Sequence, residues 1–178
     1  MMLLKRLPPF HDVLPVFAVI ATMFYGWTMV IFLWKLPGWL FFLNTQEIVR
    51  IFAYQMTTNL IESLCVLLLL LLLCMTLPSG VLKAVFVVRG SMVGLILIGS
   101  MMLFLNRYVS VGSEFGGNMV WWMLGAILIA IAVAVLSTQF RLLRVSISWI
   151  ADQLIVFLLV LMPLTVLSII YILVHPLL

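Results

Sequence analysis

Charge is what this sequence has least of. Only 8% of its 178 residues are Asp, Glu, Lys or Arg, 67% are hydrophobic, and mean hydropathy is +1.40. A water-soluble domain carries about a quarter of its residues as charges, so this composition excludes that class. Histidine is nearly missing too: His11 and His175 are the two in the chain, too far apart to suggest a paired-histidine haem site. Cys65 and Cys74 are the two cysteines. On one helix they stand about 13 Å apart along the axis, beyond the reach of a disulfide, and they read as small hydrophobic residues. No metal-ligand spacing is present, and no cofactor is expected.

Enzymatic signatures are also lacking. The sequence contains no G-x-S-x-G, no H-E-x-x-H, no glycine-rich phosphate loop and no close pair of acids. Ser146 and Ser148 have no histidine near them in sequence. The net charge of +4 comes from nine Lys and Arg scattered between apolar runs. They form no basic face, which argues against a nucleic-acid partner.

What remains is long apolar runs. A helix needs about 20 residues to cross about 30 Å of hydrocarbon, and five segments qualify, at about 13–34, 52–77, 81–105, 119–137 and 149–174. The expected fold is an all-α, polytopic integral membrane protein in a single domain, with about five transmembrane helices. The first run follows Lys5 and Arg6 in the manner of a signal sequence but lacks a small-residue cleavage site after it, so it reads as a retained membrane helix. "KLPGWLFFLN" reads as an interfacial loop punctuated by Pro37 and Gly38. Asn44 followed three positions on by Glu47 resembles a capping box. From there to residue 77 no Gly or Pro interrupts the pattern, which predicts a long second helix of about 50 Å. Residues 78–80 read as a tight turn and "NRYVSVGSEFGGN" as a polar connection. Trp121 and Trp122 suit an aromatic belt, "STQFRLLRVSIS" an interfacial segment, and Pro163 a kink in the last span.

The polar residues that fall inside these runs are the candidate sites. Gln55, Thr58, Asn59 and Glu62 lie within about 100° of one another on a helix and form one polar stripe. An intramembrane acid is expected to face protein or a water-filled cavity, so the stripe predicts a neighbouring helix supplying partners, or an ion, proton or solute site. Arg89, two turns into the third span, is the candidate counter-ion. Gly90 and Gly94 give the small-xxx-small spacing of a packing helix. Arg141 and Arg144, with Asp152 as orienter, could contact an anionic lipid.

Two functions lead, ahead of a third, an enzyme acting on a lipid-linked substrate with Glu62 or Asp152 as acid or base and Arg89 or Arg141 on its phosphate. One is an accessory or scaffold subunit of a membrane complex, which explains the absent motifs and short connections; its partners are the bilayer and a second copy or a larger membrane protein. The other is a transporter or channel component for a small solute, ion or lipid, using Gln55, Asn59 and Glu62. A lipid suits so apolar a path better than a hydrophilic solute.

Lys5, Arg6, Lys83, Arg141 and Arg144 fall on one side of the five-span arrangement, against Lys35, Arg50 and Arg107 on the other. The positive-inside rule then puts the N-terminus in the cytoplasm and the C-terminus outside an inner (plasma) membrane. Reporter fusions at Leu178 test this: a periplasm-active reporter should be active there, and activity of the cytoplasmic reporter alone would reverse the assignment.

Overall fold

The computed structural model describes residues 8–76, 85–109, 116–139 and 141–175. They form five helices: α1 (Phe10–Phe42), α2 (Thr45–Thr76), α3 (Phe86–Val109), α4 (Gly116–Gln139) and α5 (Arg141–Val174). Among the described residues there is no strand. Four of the helices, α1, α2, α3 and α5, are long and apolar enough to cross a membrane; the apolar part of α4, Met119–Ala134, is shorter. The turn expected at 78–80 lies outside the described residues, as do Lys5, Arg6 and Lys83.

The second helix is unbroken over 32 residues, but it is not the longest, as its uninterrupted pattern suggested: α1 has 33 and α5 has 34, each carried on by a flanking segment expected to lie in the interface. The start of α2 carries half of the expected capping box, the Asn44 backbone N–H donating to a Glu47 carboxylate oxygen at 2.8 Å. The interfacial loop before it does not form. Instead α1 continues through Pro37 and Gly38 to Phe42, leaving Leu43 and Asn44 as the connection. Proline forfeits one helical hydrogen bond, yet α1 runs on past it; the Phe32 ring meets Trp39 of the same helix across the proline edge-on at 5.6 Å, and Phe52 of α2 at 5.2 Å. The expected interfacial segment after α4 is likewise helical from Arg141 and continuous with the last span.

The core centres on α1. Seven consecutive residues, Pro15, Val16, Phe17, Ala18, Val19, Ile20 and Ala21, are buried, so every face of the helix is covered there. α2, α3 and α5 all pack on it, while α4 rests mainly on α3. A small-residue stripe, Ala126, Ala130 and Ala134, is the buried face of α4, and Trp122 Nε1–H donates to the Ser100 carbonyl at 3.1 Å.

Gly90 and Gly94 face α1. A Cβ on Gly90 would stand 3.3 Å from Val16 Cγ1, and one on Gly94 would stand 3.3 Å from Ile20 Cγ1. α1 and α3 are therefore parallel, since Val16 matches Gly90 and Ile20 matches Gly94. Farther along, a Cβ on Gly99 would stand 3.9 Å from Met23 Cε.

A buried polar knot joins three helices. The Tyr25 hydroxyl of α1 lies 2.7 Å from Thr165 Oγ1 of α5 and 3.2 Å from the Met56 carbonyl of α2. Thr165 Oγ1 also donates to the Leu161 carbonyl at 2.8 Å, so the Tyr25 hydroxyl is the donor to both Thr165 Oγ1 and the Met56 carbonyl, its one proton shared between them. Tyr25 is 4% exposed and Thr165 fully buried.

Tyr25→Phe should cost about 1 kcal/mol, the net worth of one buried hydrogen bond. Gly94→Leu should cost more, about 1–3 kcal/mol from overpacking. Gly125, with nothing within 4 Å of its Cβ position, should accept Leu with little change. Unfolding by denaturing detergent in mixed micelles measures all three; equal costs at Gly94 and Gly125 would contradict the close approach of α1 and α3.

Candidate functional site

The polar stripe of α2 splits when the helix packs. Asn59 turns inward and is 3% exposed, and its Oδ1 accepts a hydrogen bond from Thr28 of α1 at 2.9 Å. Gln55 is half-buried, whereas Thr58 and Glu62 are exposed on the bundle surface. The expectation that Glu62 is enclosed between helices with Asn59 and Gln55 is thus met only by its neighbours. Among the described residues Glu62 has neither an ion pair nor a hydrogen bond.

Glu62 instead marks the boundary between two recesses on the flank of the bundle. One, about 300 Å³, is polar and lined by Thr28, Ile31, Tyr54, Gln55, Thr58, Asn59 and Glu62. The other, about 400 Å³, lies between α1, α2 and α3; Trp27, Glu62, Cys65, Leu69, Met101 and Met102 are among its lining residues. Thr28 and Glu62 border both. Measured along α2 from Tyr54 to Leu69, the two extend about 22 Å, polar toward the α1–α2 connection and apolar toward the helix middle. Gln55 Oε1 and Asn59 Nδ2 are buried beside the polar recess without a hydrogen-bond partner among the described residues. That leaves donor and acceptor capacity for a guest.

Arg89 does not pair with Glu62. On α3 it sits beside Gly90, which packs on Val16, whereas Glu62 faces the level of Leu97 to Leu105. The nearer of these is eight residues on, about 12 Å along the axis. Arg141, Arg144 and Asp152 are each exposed on α5, with no ion pair joining them; an ion pair does join His11 to Asp12, at 3.1 Å near the start of α1. Ser148 donates to the Val145 carbonyl at 3.0 Å rather than to Asp152. No three His, Cys, Asp or Glu side chains converge among the described residues.

Thr28, Tyr54 and the methionines of α3 escape sequence reasoning. The available signal was the spacing Thr22, Tyr25, Thr28 in the first apolar run, which puts three hydroxyls within one sector of α1. Compared with known families, curated proteins and solved structures, the chain matches none of them. The site is therefore read from its own geometry.

Cys65 is exposed at the mouth of the apolar recess and Cys74 is 2% exposed. In detergent solution maleimide should label Cys65 alone, giving one label per folded chain and two after unfolding. Rapid labelling of Cys74 in the folded protein would contradict the packing of α2.

Proposed function

We propose that this chain is a non-catalytic, multi-pass protein of the inner membrane, an accessory subunit that binds and positions one amphiphile in the lateral groove beside Glu62. The observation that carries the reading is the order of polarity along α2. From the α1–α2 connection toward the helix middle come Tyr54, Gln55, Thr58 and Glu62, then Cys65, Val66 and Leu69. A lipid of one leaflet has that same order, head group at the surface and chain below it. Together the recesses fall within the size range of small-molecule sites, about 300–1,000 Å³.

Glu62 gives the head group its chemistry. A carboxylate partly withdrawn from water favours a donor, so an amine or hydroxyl-bearing head is the fitting class. Gln55 and Asn59 add donor and acceptor groups beside it. The apolar recess, with Trp27, Met101 and Met102 along its walls, suits a flexible acyl or prenyl chain because methionine adapts to irregular shapes.

One feature supports an odd number of passes, and a second the orientation. Tyr171 and His175 of α5 border a recess together with Thr45 and Arg50 of α2, so α5 ends beside the α1–α2 connection, away from where α1 begins. The Lys and Arg distribution then places that end outside.

The test is native mass spectrometry of the full chain extracted in mild detergent. Wild type should retain a lipid-sized adduct. Glu62→Gln should keep its helical content and lower retention about tenfold, the equivalent of one charge-assisted hydrogen bond. Leu69→Phe, changing an exposed groove residue, should exclude the chain. Unchanged retention in both variants, or a partner helix occupying the groove, would overturn the reading.

A further inference from the structure

A second recess lies at the end of the bundle where α2 begins and α5 ends. It holds about 270 Å³ and is lined by Thr45, Gln46, Val49, Arg50, Tyr171 and His175. Five of those six side chains are polar, so this recess and the polar one beside Glu62 stand out along an otherwise apolar bundle. The Tyr171 and His175 rings stack at 5.0 Å with a 55° tilt, and the His175 backbone N–H donates to the Tyr171 carbonyl at 3.0 Å. That last turn holds both side chains against α2.

Arg50 is the charge in this recess. It is half-buried, and its Nε is buried without a hydrogen-bond partner among the described residues. Glu47, one turn earlier, spends a carboxylate oxygen on the Asn44 N–H and forms no ion pair with Arg50. A guanidinium withdrawn from water with an unused donor is costly unless an anion meets it. Its planar fork matches the oxygens of a phosphate or carboxylate.

We propose that the recess between the first turns of α2 and the last turn of α5 binds a phosphate or carboxylate group, with Arg50 supplying the charge and Tyr171, His175 and Gln46 the flanking hydrogen bonds. The site stands apart from the groove beside Glu62, on the α5 side of α2 rather than the α1 side. It also lies at head-group level. At 32 residues, α2 is about 48 Å long against about 30 Å of hydrocarbon, and the α1 end beside it exposes Trp34, Phe41 and Phe42. Aromatic residues of that kind sit at the membrane surface. The anion therefore arrives either as the phosphate of a lipid head group or as a free anion from water.

Three probes separate these sources in the full chain held in a mild non-ionic detergent: phosphatidylglycerol, diacylglycerol and inorganic phosphate. Native mass spectrometry counts lipid adducts, and phosphate binding is followed by calorimetry. Phosphatidylglycerol should bind at least tenfold better than diacylglycerol, and Arg50→Gln should remove that preference. Arg50→Lys, which keeps the charge but not the fork, should fall between. Lys35→Gln removes an exposed positive charge from the same end of the bundle and should change binding less than twofold. Arg50-dependent binding of lipid that phosphate fails to displace assigns the head group; Arg50-dependent binding of phosphate itself assigns the free anion. Equal binding by wild type and Arg50→Gln for both probes, or equal losses in Arg50→Gln and Lys35→Gln, would overturn the proposal.

Discussion

A helix buried on all sides dictates how the rest of this chain is arranged. Between Pro15 and Ala21 α1 has no face left open, and three helices are needed to cover it. α2, α3 and α5 take those places, and α4 is left to pack on the outside of α3. Within a bilayer apolar surface gains little by turning inward, because lipid tails are as apolar as leucine. Close packing and hydrogen bonds must therefore hold the centre. The two devices are stacked along α1: glycines of α3 against Val16 and Ile20, then the Tyr25 hydroxyl reaching α2 and α5.

The same helix pair that ends in aromatic contacts also produces the polarity gradient beside Glu62. α1 and α2 are joined by only Leu43 and Asn44, so they run antiparallel in contact, with Phe32 on Phe52 and Thr28 on Asn59. Each of those contacts draws inward the side of α2 that carries Asn59. Thr58 and Glu62 are left turned outward. The exposure of an acid in an apolar helix is thus a consequence of which neighbour the polar stripe has already satisfied.

Membrane class, helical content and the position of the second helix were legible because they depend on composition and on local signals such as Asn44 with Glu47. The Gly90 and Gly94 spacing also pointed to a packing face. Two things were hidden. The continuation of α1 through Pro37 was one: a proline followed by glycine reads locally as a breaker, while the folded helix carries on and sets Phe32 against Trp39 across it. The centrality of α1 was hidden as well: an unbroken apolar run reads alike whether lipid or protein surrounds it. Glu62 was recognised as the residue to follow, but helical periodicity ranks residues by direction and cannot say which direction faces a neighbour.

The contacts between α1 and α3 bear on what kind of site the groove can be. Along this parallel pair the spacing is tightest at Gly90 and Gly94, where an added Cβ would stand 3.3 Å from an α1 side chain, and looser at Gly99, where it would stand 3.9 Å from Met23. The apolar recess opens just beyond, where Leu97, Met101 and Leu105 line it. The helices are therefore sealed toward the α1 start and parted toward its end. A conduction path would have to continue through the more tightly packed half, where Ser91 and Val88 are buried, a Cβ on either glycine would press on Val16 or Ile20, and the open space is a recess of about 120 Å³ between α1, α3 and α5. A groove tight below and polar above is the shape that supports the proposed reading, an amphiphile held from one leaflet rather than an ion passed across.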